Sequence, residues 1–156
     1  MRISEGFDAF ALAAIAGVLD LSRPQGYFAI EAENAMNVAV LGASNKPERY
    51  SHQAVVLLAH KGHAVYPIHP ALADIEGRRV FPRLADVPVP LHTVSMYVSP
   101  THSTQLAHDI LAVRPARVVF NPGTENPDLE ARLAAAGIQV VHACTLVLLR
   151  TGQFGD

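Results

Sequence analysis

Short apolar runs, separated by stretches with helical spacing, constrain this chain more than any other feature. They are Val38-Ala39-Val40-Leu41, Ala64 to Ile68, Thr93 to Val98, Arg117 to Phe120 and Ile138 to His142. Each is too short for a helix, and strands that stay apolar along their length need covering on both faces, as in a parallel sheet flanked by helices. The intervals supply those helices. Residues 51–60 set a helical period through Ala54, Val55, Leu57 and Leu58, with Ser51 as the expected cap and Gly62 as the stop. Leu106, Ile110, Leu111 and Val113 mark a second helix over residues 102–113, closed by Pro115. Asn126-Pro127 places a capping residue before a proline at the first helical position, and that helix runs to Ala134-Ala135-Ala136-Gly137. Residues 69–92, with Pro70, Pro82, Pro88 and Pro90, read as loop around a short extended piece, Arg79-Val80-Phe81. Thr145 to Leu149 adds a final turn. The expected fold is α/β, a doubly wound parallel five-stranded sheet forming a single domain over residues 37–156.

Residues 1–36 stand apart as an N-terminal extension. Ala9 to Leu19 is an apolar and glycine run between Asp8 and Asp20, well short of the about 20 apolar residues that a membrane span needs. It lacks the basic start of a secretory signal, since Glu5 and Asp8 follow Arg2. It is expected to form a helix over residues 7–21 that packs on the domain or on a neighbouring chain, in a homodimer or with a partner protein. Arg23-Pro24-Gln25-Gly26 ends it. The alternative is an extension without order or function. Five of the acids lie here, so the body that follows is nearly neutral although the net charge is -2. Its bases, Lys46, Arg49, Lys61, Arg78, Arg79 and Arg83 among them, are scattered and form no stripe for nucleic acid. The single cysteine, Cys144, excludes an intrachain disulfide and suits a reducing cytoplasm.

In a doubly wound sheet, ligands meet the loops at the carboxyl ends of the strands. After the first strand comes Gly42-Ala43-Ser44-Asn45-Lys46-Pro47-Glu48-Arg49-Tyr50. Gly42 permits a tight turn, Ala43 and Ser44 are expected to expose amides, the following helix adds a partial positive charge, and Lys46 and Arg49 add full ones. Such a loop suits phosphate. Tyr50 is placed to stack on a base or to cover the loop. The remaining strand ends carry His69-Pro70, Ser99-Pro100-Thr101, Asn121-Pro122-Gly123-Thr124 and Ala143-Cys144-Thr145. A nicotinamide dinucleotide fits poorly: the second and third glycines of Gly-x-Gly-x-x-Gly are missing, and the second strand ends in Pro67-Ile68-His69-Pro70 rather than an acid for the ribose. A Walker loop and a Gly-x-Ser-x-Gly elbow are likewise absent.

Gly42-Ala43-Ser44-x-x-Pro47-x-Arg49, Pro67-Ile68-His69-Pro70, Gly77, Leu84-Ala85-Asp86-Val87-Pro88 and Asn121-Pro122-Gly123 together resemble the small bacterial CoA-binding proteins related to the CoA-binding domain of succinyl-CoA synthetase. The resemblance covers residues 37–154. It implies a Rossmann-like domain with coenzyme A, or an acyl-CoA, across the strand ends. The Gly42-Ala43-Ser44 loop would face the pyrophosphate, with Asn45 in the same loop. Pro67 to Pro70 would surround the adenosine, and Ser99-Pro100 with Asn121-Pro122-Gly123 would lie nearer the pantetheine arm. Lys46, Arg49 and His69 are available for the pyrophosphate and the ribose phosphate. His69 departs from the family, where many members carry asparagine or serine.

Cys144 follows the last strand, on the side of the sheet where a pantetheine thiol would arrive. A reactive thiol there would need exposure and a stabilised thiolate, and a buried structural cysteine is the plainer reading. The histidines show no metal-ligand spacing, so no metal is expected, although His102 lies close enough to the third strand's end to touch a ligand. The leading functional reading is a stand-alone protein that binds CoA or acyl-CoA to sense, buffer or present it. A second is a thiol-dependent enzyme acting on CoA or CoA-disulfides through Cys144. The third keeps the fold but substitutes NAD(P) or another adenine nucleotide.

Overall fold

A computed structural model describes residues 35–156, and the helix expected over residues 7–21 lies outside them. The order of elements is β1 (Asn37–Leu41), α1 (Tyr50–His60), β2 (Ala64–Ile68), β3 (Asp74–Ile75), β4 (Arg78–Arg79), a 3-10 turn (Leu84–Asp86), β5 (Thr93–Met96), α2 (Pro100–Gln105), α3 (Ala107–Val113), β6 (Arg117–Phe120), α4 (Pro127–Ala135), β7 (Gln139–His142) and α5 (Thr145–Arg150). Five parallel strands form one sheet in the order β2-β1-β5-β6-β7. The fold is therefore the expected Rossmann-like, doubly wound one.

Alternation along the strands builds two cores. Val38 and Val40 of β1 pack with Val55 and Leu58 of α1, Leu149 of α5 and Phe154 on one face. Ala39 and Leu41 point the other way, to Ile110 of α3 and to Leu129 and Leu133 of α4. All of these side chains are buried. Successive side chains on a strand face opposite sides, so an apolar run is what a sheet covered twice requires. At the amino ends of the strands, buried Arg117 donates from Nε to Thr93 Oγ1 (2.8 Å) and from Nη2 to the Phe154 carbonyl, with its guanidinium 4.6 Å from the Phe154 ring centre. This ties the chain's last residues to the sheet.

Several boundaries differ from the sequence reading. Helix α1 starts at Tyr50 with Arg49 as its N-cap, and Ser51 is a buried first-turn residue that caps nothing. The Arg49 amide closes a turn onto the Lys46 carbonyl (3.0 Å), which brings the chain into the helix a residue early. The helix expected over residues 102–113 is two, broken at Leu106. It starts at Pro100 because Ser99 Oγ accepts from the His102 amide (3.2 Å). It breaks after one turn. The hydroxyls of Ser103 and Thr104 both donate to the Pro100 carbonyl (3.1 and 3.0 Å), offering the first turn an alternative to the regular ladder. Strand β5 ends at Met96 and β7 begins at Gln139.

The loop over residues 69–92 contains a hairpin, β3 against β4, closed by Glu76 and Gly77 at φ 51° and 75°. Two positive φ angles in succession give the twist that a two-residue hairpin turn needs. Of the extended piece expected at Arg79-Val80-Phe81, Arg79 lies in β4 and Phe81 bridges Ile68 in parallel. His52 on α1 holds the hairpin tip through Nε2 to Glu76 Oε1 (2.9 Å).

Candidate functional site

Strand order reverses between β1 and β5, since β2 lies on one side of β1 and β5 on the other. In open parallel sheets a crevice forms outside the carboxyl ends of such a pair. Here it is a cleft of about 940 Å³, floored by Leu41, Gly42, Tyr97 and Val98. One lip is the loop Ala43 to Arg49 with the start of α1; the other comprises His69, Pro70 and Leu72 after β2, then Pro82, Arg83 and Leu84, with Ser99, His102, Leu106 and Asp109 from the β5 to α3 region.

The β1–α1 loop donates hydrogen bonds differently from the sequence expectation. The amides of Gly42 and Ala43 both turn inward to the Ile68 carbonyl (3.2 and 3.1 Å), so Ala43 has no free amide for a ligand. Ser44 Oγ accepts from the Lys46 amide (3.1 Å), folding the loop on itself. The positive end of α1 supplies the attraction instead. No side chain caps that helix, and Tyr50 and Ser51 of its first turn line the cleft. Of the other three helices that follow strands along this edge, α2 is closed by Ser99 and α4 by Asn126, and at the start of α5 the Thr145 amide donates to Asn121 Oδ1 (2.7 Å). An uncapped helix start facing a cleft attracts an anion through its free amides and aligned dipoles. Lys46 and Arg49 stand exposed beside it, and Tyr50 is 71% exposed, leaving its ring free to lie against a ligand.

His69 caps its own turn. Its Nδ1 accepts from the amides of Ala71 (3.0 Å) and Leu72 (3.1 Å), the local cap that an asparagine or serine side chain gives a turn. With Nδ1 the acceptor, the ring is left with Nε2–H as a donor. His69→Ala is expected to lower the unfolding free energy by about 1–2 kcal/mol by orphaning two amides, and His69→Asn to recover most of it. Urea denaturation of the pair checks this, and an asparagine variant as unstable as the alanine would remove the capping account.

Of the residues singled out from sequence, the cleft brings together Gly42, Ala43, Ser44, Asn45, Lys46, Arg49, Tyr50, His69, Pro70 and Ser99. Pro67, Pro100, Asn121, Pro122, Gly123 and Cys144 do not line it. Pro67 is buried in β2 and its carbonyl accepts from the Phe81 amide (2.9 Å). Pro100 is the first residue of α2, Pro122 and Gly123 form an exposed turn after β6, and Asn121 is buried. Cys144 is the half-buried N-cap of α5. Arg83, Asp109, Tyr97, Val98 and Leu106 are added to the cleft. Tyr97 and Val98 had a signal, for they directly follow β5; Arg83 and Asp109 had none. The Tyr97 hydroxyl is buried beside Ser95 and Thr145 without a well-formed hydrogen bond to either, and burial, partly offset by those neighbours, pushes its pKa up to about 12. Among the described residues no group of three His, Cys, Asp or Glu side chains could hold a metal, and no helix is long and apolar enough to cross a membrane.

A family model described as a CoA binding domain matches residues 36–150. The chain belongs to the CoA-binding domain family. Among solved structures, an uncharacterised protein is 34% identical, with the match covering 77% of this chain and 98% of that one at a TM-score of 0.73. A Thermus thermophilus structure is 27% identical over 85% of this CoA-binding domain chain and 100% of its own, at a TM-score of 0.71. A dinucleotide-forming acetyl-coenzyme A synthetase from Ca. Korarchaeum cryptofilum, solved with phosphate and ADP, shares the fold at 24% identity and a TM-score of 0.61. That match covers 73% of this chain and 27% of the synthetase. The CoA-binding family thus accounts for the five-stranded sheet and its flanking helices.

Proposed function

We propose that the protein binds coenzyme A, or an acyl-CoA, in the cleft between the β1 and β5 ends, and acts as a stand-alone binding protein that senses, buffers or presents the cofactor in the cytoplasm. The observation that carries this is the uncapped start of α1, flanked by Lys46 and Arg49, at the switch point of a CoA-binding family fold. Its free amides and two cations suit a pyrophosphate. The cleft falls in the range of about 300–1,000 Å³ typical of cofactor and drug-sized ligands. The adenosine would lie toward the end of β2, where His69 presents Nε2–H and Tyr50 a free ring face. The pantetheine would run toward Ser99. The thiol-enzyme reading has less support, since Cys144 stands off the cleft.

Titration calorimetry with CoA, dephospho-CoA, NAD and ATP tests the proposal. CoA is expected to bind tightest, at micromolar dissociation constants of about 8 kcal/mol in free energy, and to be recovered unchanged. Equal affinity for CoA and ATP would remove the case for CoA, and consumption of an acyl-CoA or CoA-disulfide would replace a binding protein with an enzyme.

A further inference from the structure

Arg83 sits at the cleft on a segment that the sheet holds in place. Two residues before it, the Phe81 amide donates to the Pro67 carbonyl (2.9 Å), and the Phe81 carbonyl accepts from the His69 amide (3.0 Å). The next residue, Leu84, is buried in the core. The Arg83 backbone is therefore anchored beside the carboxyl end of β2, in the lining of the same cleft as Lys46 and Arg49. Its side chain is anchored too. Nε donates to Asp109 Oδ2 (3.2 Å), and Nη2 to Oδ1 (3.0 Å) and Oδ2 (3.1 Å). The Asp109 side chain is mostly buried, at 17% exposure, while that of Arg83 is 62% exposed.

This bond uses one edge of the guanidinium and leaves Nη1 with no hydrogen-bond partner among the described residues. An exposed ion pair adds little to stability, but a fork clamped along one edge is fixed in one rotamer with its other edge open to an oxyanion. Holding the donor ready lowers the ordering cost of binding. The position is informative as well. In doubly wound sheets the adenosine ribose lies beside the end of the second strand, where an arginine can accommodate a ribose phosphate. The α1 start serves a pyrophosphate from the opposite lip, so a second cation site here matches a ligand with a second, separate phosphate.

We infer that Arg83, positioned by Asp109, reads the ribose phosphate of the bound cofactor and sets the preference for coenzyme A over its dephosphorylated form. This rests on the proposed function. The test measures the affinities of CoA and dephospho-CoA for the wild type, Arg83→Gln and Asp109→Asn by calorimetry, with thermal melts to confirm folding. The wild type is expected to prefer CoA by about tenfold or more, the worth of a charge-assisted contact. Arg83→Gln is expected to weaken CoA by that factor, leave dephospho-CoA within about twofold and so abolish the preference. Asp109→Asn shrinks the preference by less, because the guanidinium remains but loses its clamp. Equal weakening of both ligands in Arg83→Gln would put Arg83 on the pyrophosphate and overturn the inference, as would a variant that binds CoA undiminished. A wild type that binds both ligands equally overturns it while leaving CoA binding intact. A wild type that binds neither overturns the proposed function itself.

Discussion

Gly42→Ala is expected to lose on the order of 3 kcal/mol of stability and at least about a hundredfold in ligand affinity. The backbone at Gly42 has φ +88°, where an L side chain costs about 1–2 kcal/mol. A β-carbon there would also lie 2.8 Å from Val98 Cγ1 and 2.9 Å from the Tyr97 carbonyl oxygen. Val98 can swing away, but the carbonyl cannot, because the Tyr97 amide is bonded to the Leu41 carbonyl (2.9 Å). Relief has to come from the β1–α1 loop, which would lift off β5 and carry Ser44, Lys46 and the start of α1 out of register with the opposite lip. Gly123→Ala is the control. It has the same φ of +88° but nothing within 4 Å of the added carbon, so it should show the backbone cost alone. Chemical denaturation and calorimetry on both variants read the difference. Equal losses in the two would mean that the close approach at Gly42 is unimportant.

That contrast also shows what could be read from the sequence. A glycine after a buried strand marks a turn near a ligand, and Gly42 was found that way. The residue it must avoid lies on another strand, and no local pattern names Tyr97. The same division runs through the fold. The apolar runs at Val38 to Leu41, Ala64 to Ile68 and Arg117 to Phe120 are strands because burial on both faces leaves a direct mark on composition, and Asn126-Pro127 starts a helix because capping is local. The β3/β4 hairpin was missed since Asp74-Ile75 and Arg78-Arg79 are too short to alternate, and only Gly77 marked the turn. The helix broken at Leu106 looked continuous because the polar groups loosening its first turn include Asn126, whose Nδ2 reaches the Pro100 carbonyl (3.1 Å), Ser103 Oγ (2.9 Å) and Thr104 Oγ1 (3.0 Å) from a distant helix start. Arg83 and Asp109 meet only because the chain after β4 folds against α3. Pro82, Leu84 and Leu106 line the cleft for the same reason. Motif spacing gives the first lip together with His69, Pro70 and Ser99 of the second, and topology is needed for the rest.

Asn121→Ala is expected to lower the unfolding free energy by about 3 kcal/mol, and the reason bears on how the Asn121-Pro122-Gly123 segment is read. Asn121 is 3% exposed. Its Nδ2 donates to Ser95 Oγ (3.1 Å) and to the Met96 carbonyl (2.9 Å), and its Oδ1 accepts from the Thr145 amide (2.7 Å). Ser95 and Thr145 are themselves bonded through their hydroxyls at 2.8 Å. One amide group thus joins β5, β6 and the first turn of α5 behind the cleft. Truncation would orphan a buried amide and a buried carbonyl together, each costing about 1–3 kcal/mol when left without a partner. Asn121→Asp should do no better: it keeps the shape but places an acceptor where Met96 needs a donor, and it buries a charge. Stability and affinity separate a framework role from ligand contact. With both amide hydrogens committed inside the fold, the folded fraction of Asn121→Ala should bind CoA within about threefold of the wild type. A far larger affinity loss, with stability unchanged, would put the side chain on the ligand. A double-mutant cycle with Thr145→Val should then give a coupling of about 1 kcal/mol or more, as expected for neighbours in one buried network. Additive losses would mean that the ties to β5 and α5 act independently.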